Sequence, residues 1–219
     1  GVIVDPHPKG RHKRMDEAVL KSLESLSKGS PSEVLLEAAL ALGPAVGKDV
    51  IARSRLESAS AQSALEELLG NGQMVNMEDG EWRMESLVMP SSQWQVLQDK
   101  TLQIVGDYHK AFPLRKGIPR EELKSKLKLA PRVFNASISQ IVNRKLLIEN
   151  GSFVAIPSHK VTFDNGQQAK VTGLMRKFAA NPFGPPSVKE CQAEVGEEVY
   201  AALIEMGELT AVSPEVVFR

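Results

Sequence analysis

The chain has one cysteine, Cys191, in 219 residues, so no internal disulfide can form and a reducing, cytoplasmic setting is expected. It has no net charge: 27 basic and 27 acidic residues cancel, which removes any overall pull toward polyanions or membranes. No apolar run approaches the roughly 20 residues that span a bilayer, and Val34 to Val46 is interrupted by Glu37, Gly43 and Pro44. A signal peptide and an initiator methionine are both missing. The opening GVIV is strand-like, and a piece of a longer, monomeric protein is expected. Nothing pairs a nucleophile with a base, so no catalytic residue is assigned and the chain is read as no enzyme. His7 and His12 lie among Lys9, Arg11, Lys13 and Arg14, while His109, His159 and Cys191 are scattered, so no metal site is expected. Gly43 to Asp49, GPAVGKD, imitates a phosphate loop but is one residue short, with Asp49 where a magnesium-binding hydroxyl belongs. It reads as a plain inter-helix turn, and no cofactor is expected.

What is present is a repeat. Residues Tyr108 to Ile156 spell one complete small module. A helical pattern from near Ser91 stops at Phe112-Pro113, and Pro113 to Gly117 is a connector. Pro119, at a first helical position with Glu121 and Glu122 behind it, opens a second helix to about Leu127. Pro131 opens a third, with Phe134, Ile138, Ile141 and Val142 at helical spacing. Leu146–Glu149 and Ser152–Ile156 then flank Asn150-Gly151, a two-residue hairpin turn. Three helices and a two-stranded wing make a winged helix, a helix-turn-helix variant whose third helix is the one offered to nucleic acid.

Two weaker copies echo it. Ser30-Pro31-Ser32-Glu33 is a capping box; helices follow at 31–42, 48–56 and 60–69, then a hairpin, QMVNMEDGEWRM, turning near Asp79-Gly80. Near the end, helices are expected at 168–180, from Ser187 with Glu190 in capping register, and at 197–206, before LTAV and VVFR around Ser213-Pro214. The fold class is therefore mainly α with small β wings (α+β), in tandem winged-helix modules. The expected divisions are 1–14, the end of a preceding β-barrel domain and linker, and 15–29, a linker helix. Winged helices follow at 30–89, 91–157 and 160–219, with Pro90-Ser91-Ser92 and Asn165-Gly166 at the joints.

Charge is uneven along this order: residues 91–157 hold 11 basic against 5 acidic, whereas 15–90 hold 6 against 13. Arg115, Lys116, Arg120, Lys124, Lys126, Lys128 and Arg132 face only Glu121 and Glu122 within the same eighteen residues. A solvated helix face accounts for charge as such; phosphate binding accounts for its sign. Asn135, Ser139, Gln140, Asn143 and Arg144 on or just past the third helix add donors for a backbone or base edge. The other third helices carry Glu66 and Glu67, or Glu197, Glu198 and Glu205, and suit packing or protein contact.

YHKAFPLRKGIPREELKSKL, from Tyr108, resembles the second winged helix in the C-terminal region of bacterial selenocysteine-specific elongation factors (SelB). GPPSVKE, Gly184 to Glu190, is similar to the approach to their third, and GVIVDPHPKGRHKR to the end of their elongation-factor-Tu-like part. The resemblance implies an arm in selenocysteine incorporation at UGA. A GTPase and tRNA-binding part, with GTP and magnesium, would lie upstream, and a fourth winged helix that reads an mRNA hairpin downstream. Partners would be structured RNA (mRNA hairpin, tRNA or ribosomal RNA) and the ribosome, met weakly by the middle module, and no membrane. No hairpin-reading residue carries over. A winged-helix DNA-binding transcription regulator and a protein-only scaffold stay open as alternatives.

Overall fold

The computed structural model describes residues 29–181 and 184–219; the opening strand and the linker helix, with the division 1–14 and all of 15–29 but its last residue, lie outside them. Along the described chain the elements come in three similar runs. The first is α1 (Pro31–Leu42), β1 (Ala45–Val46), α2 (Gly47–Ser54), α3 (Ser58–Gly70), β2 (Met74–Asn76) and β3 (Leu87–Pro90). The second is α4 (Ser91–Ala111), β4 (Ile118–Pro119), α5 (Arg120–Leu127), α6 (Pro131–Asn143), β5 (Ile148–Asn150) and β6 (Phe153–Ala155). The third is α7 (Asn165–Ala180), α8 (Val188–Val195), α9 (Glu197–Met206), β7 (Thr210–Ala211) and β8 (Val217–Phe218). Helix, short strand, two helices and a hairpin is the winged-helix order, and the fold is α+β with small antiparallel sheets.

Each run builds its sheet locally. The orders are β1-β3-β2, β4-β6-β5 and β7-β8. In the third run the place of the short first strand is taken by a single bridge, Ser187 to Val216. The helices start where side chains can satisfy their free N–H groups: Ser30 with Glu33, Asp164 with Gln167, and Ser187 with Glu190 each form a reciprocal capping box.

By compactness the chain forms two units, one running to Lys100 and including Leu129–Gln140, the other comprising Thr101–Lys128 and Ile141–Arg219. The first holds a core of Leu35, Ala39, Val50, Leu65, Leu68, Met74 and Val88. The second holds a core of Leu174, Cys191, Val199, Leu203 and Val217, joined by Leu114. The stretch Pro113–Gly117, expected as a mere connector, is thus anchored by its leucine, which is 8% exposed.

Five local expectations are corrected. The first wing does not turn at Asp79-Gly80: β2 pairs with Leu87–Pro90 in the register Met74 to Pro90, leaving 77–86 as a long loop. Leu87, Val88 and Met89 are buried, whereas Glu81 and Arg83 are exposed, so the apolar run wins the pairing. The loop folds back, and its Met84 and Ser86 carbonyls accept the Lys48 and Gly47 N–H groups. That also replaces the plain turn expected at GPAVGK. Ala45–Val46 is a strand, and the backbone donors that a phosphate loop would aim at an anion are spent on the wing. Pro119 is not the first helical residue: at φ −56°, ψ 134° it is extended, paired with Phe153, and the helix begins at Arg120.

The second hairpin turns one residue later than expected. Asn150 pairs with Phe153, so the loop is Gly151-Ser152, with φ +63° at Gly151 supplying the glycine-first form of a two-residue turn. Lastly, Asn165-Gly166 is no joint but the first turn of α7, because the Asp164 carboxylate caps it at 2.7 Å from the Gln167 nitrogen.

Candidate nucleic-acid interface

The cations that looked unopposed in the sequence acquire partners from far along the chain. In the second unit, Arg115 donates through Nη1 to Glu205 Oε1 at 2.5 Å, and the other carboxylate oxygen accepts the Lys116 N–H at 3.3 Å. That carboxylate holds the Arg115 guanidinium above its ordinary pKa, with burial opposing. Arg120 pairs with Glu149 on β5, while its backbone N–H donates to Ser152 O at 2.7 Å. Lys124 and Lys126 meet Glu121 and Glu122 one turn away, at 3.2 Å and 3.3 Å. Lys128 ends α5 in the left-handed region at φ +55° and is exposed. Lys116 and Lys128 have no ion pair among the described residues. Arg144 is exposed just past the end of α6.

Arg132, Asn135 and Ser139 fall on one stripe of α6, three and seven residues apart, while Phe134, Ile138 and Ile141 are fully buried on the other side. Gln140 is half-buried and Asn143 exposed. Within the first unit Arg132 is held by the loop of the first wing. Its Nε and Nη2 each lie 2.8 Å from Glu78 Oε1, and Nη2 also donates to Glu85 O at 2.7 Å. The guanidinium draws the Glu78 carboxyl below its usual range, helped by a backbone N–H from Leu87 and opposed by burial. Between loop and helix lies an open cleft of about 490 Å³, floored by Met77 and Ala136 and rimmed by Glu78, Asp79, Asn135 and Ser139.

Sequence reasoning thus found the basic residues and missed their acids. Glu205, Glu149 and Glu78 stand 90, 29 and 54 residues from the arginines they pair, and no local pattern announces a partner at such distances. Nor did it find His109. That ring is 8% exposed, accepts the Ile156 N–H at Nε2 (3.1 Å) and stacks on His159 with centroids 3.6 Å apart. Burial first, and the neighbouring imidazole second, push its pKa down to about 4. His159 in turn donates from Nε2 to Arg115 O at 2.8 Å. Among the described residues no cluster of His, Cys, Asp and Glu is placed to hold a metal, and no helix is long and apolar enough to cross a membrane.

Residues 102–156 match the family model described as elongation factor SelB, winged helix. That segment is similar to a SelB winged helix. The chain is also similar to the selenocysteine-specific elongation factor of Desulfomicrobium baculatum, 24% identical over 220 residues covering 95% of this chain. It spans about a third (34%) of that relative's length. Arg115, Lys116, Arg120, Lys124, Lys126 and Lys128 all lie inside the matched segment, as do Arg132, Asn135, Ser139 and Arg144.

Proposed function

We propose that this chain is the winged-helix arm of a selenocysteine-specific elongation factor, acting in the cytoplasm during selenocysteine incorporation at UGA. It would link an upstream GTPase and tRNA-binding part to a downstream module that reads an mRNA hairpin. The observation that carries the reading is the SelB winged helix at 102–156 inside an alignment to a selenocysteine-specific elongation factor along nearly the whole chain. The arm itself contributes positioning and a weak, sequence-indifferent contact to RNA through cations of the second run. Its three runs of elements act as three winged-helix modules, at 30–89, 91–157 and 160–219. No chemistry is assigned to it, since GTP and magnesium would belong to the upstream part.

Ion pairing favours a second reading, a protein-only scaffold, because Arg115, Arg120 and Arg132 already have carboxylate partners. Both readings are tested in the parent gene. Deleting the codons for residues 91–219 is expected to abolish selenocysteine insertion in a UGA reporter while ordinary translation continues. Unchanged insertion would exclude a role in that process.

A further inference from the structure

We propose that loop 77–86 of the first wing is an acidic cover over the reading face of α6, and that RNA must displace it to use that face. This rests on the RNA contact proposed above and concerns how that contact is regulated. In helix-turn-helix proteins the first residues of the recognition helix are those that approach base edges and flanking phosphates. Arg132 is the second residue of α6, yet its guanidinium already lies against one carboxylate oxygen and one carbonyl, the oxygen pattern that a phosphate would present. Loop 77–86 brings Glu78, Asp79, Glu81 and Glu85 against a single Arg83. A polyanion approaching Arg132, Asn135 and Ser139 therefore meets like charge first.

The loop is built to stay and yet to yield. Glu78 is tied on its own side by the Leu87 N–H at 3.3 Å, and Glu78 N–H donates to Asn76 Oδ1 at 3.2 Å, so the carboxylate is presented rather than trailing in solvent. The pair it forms with Arg132 is open to water, the two side chains being 34% and 52% exposed. Exposed ion pairs hold weakly, so the loop restrains binding without abolishing it.

The test is fluorescence anisotropy of a labelled RNA hairpin of arbitrary sequence against the full chain, across a salt series. Glu78→Gln removes the negative charge but keeps an acceptor for the Leu87 N–H. It is expected to tighten binding about two- to fivefold, the range a weak exposed ion pair allows. It should also steepen the slope of log K against log salt by about 0.7 to 0.9, the signature of one added phosphate contact. Arg132→Gln should cancel the gain when combined with Glu78→Gln. The Arg132 Nε–H resonance should move further on adding RNA in Glu78→Gln than in the wild type, a difference that a purely structural pair would not show. Equal affinity and slope for wild type and Glu78→Gln, with both binding, would overturn the cover. Failure of both to bind at low salt would overturn the RNA reading itself and the cover with it.

Discussion

Acidification between pH 7.5 and 5 should destabilise the unit that holds His109, by an amount the structure fixes. His109 is 8% exposed; its Nε2 accepts the Ile156 N–H, so the proton of the neutral ring is on Nδ1, which is buried with no hydrogen-bond partner among the described residues. Adding a second proton would turn Nε2 from acceptor into donor, facing the Ile156 N–H, and place a charge beside the stacked His159 ring. The folded protein therefore keeps the ring neutral down to about pH 4, whereas the unfolded chain protonates it near its ordinary value of about 6.5. Between those values the unfolded state binds more protons, so stability is complete above about pH 6.5 and declines as pH falls toward 4. Integrating that difference gives a loss of about 2 kcal/mol by pH 5, close to the limit of about 1.4 kcal/mol per pH unit for one proton.

Urea denaturation followed by circular dichroism, with amide exchange at Ile156 as the local reporter, measures it. His109→Gln, whose amide oxygen can still accept from Ile156, should remove that pH-dependent loss while its stability at pH 7.5 changes little. A wild-type His109 that titrates near 6.5 by ring-proton NMR would refute the reasoning, as would a His109→Gln variant showing the same loss as wild type.

Gly117→Ala would place a Cβ 2.5 Å from Val154 O and 3.0 Å from the same carbonyl carbon, backbone atoms that cannot swing aside. A loss of about 3 kcal/mol is expected, at the upper end for overpacking, read as a lower urea midpoint. Ser187→Ala removes the hydroxyl that caps α8 and contacts Glu190 at 2.8 Å. It should cost about 1 kcal/mol and show as fraying of amides at the start of α8 in hydrogen exchange.

Legibility in the sequence followed the range of the forces involved. Helices were readable at the caps Ser30 with Glu33 and Ser187 with Glu190, and α9 begins and ends where its pattern does, whereas the equally local box of Asp164 with Gln167 was hidden by the turn signal of Asn165-Gly166. The winged-helix order was readable because amphipathic periods and Gly-containing turns are local too. Two-residue strands such as Ala45–Val46 and Ile118–Pro119 were not, since no periodicity can be expressed in two residues and both exist only through pairing with a later strand. The first wing misled for a related reason: Asp79-Gly80 is a good turn signal, but the apolar run at Leu87–Met89 lay beyond the window in which a hairpin is sought. The candidate interface shows the same divide. Its cations are printed in one short stretch, while the carboxylates that neutralise Arg115, Arg120 and Arg132 come from Glu205, Glu149 and Glu78, so the net field could not be judged from the stretch itself.

The most direct measurement is the salt dependence of RNA binding by the wild-type chain, with a selenocysteine-inserting mRNA hairpin and a scrambled hairpin titrated side by side. If most cations of the second run are committed to ion pairs and only a few, such as Lys116 and Lys128, meet phosphate, dissociation constants should fall in the range of about 10⁻⁴ to 10⁻⁶ M at physiological salt. They should be equal for the two hairpins, and the slope of log K against log salt should be about −2 to −3. A slope of about −5 to −6 would mean that all seven cations from Arg115 to Arg132 engage phosphate despite their carboxylate partners. That slope, or a tenfold preference for the true hairpin, would contradict the account.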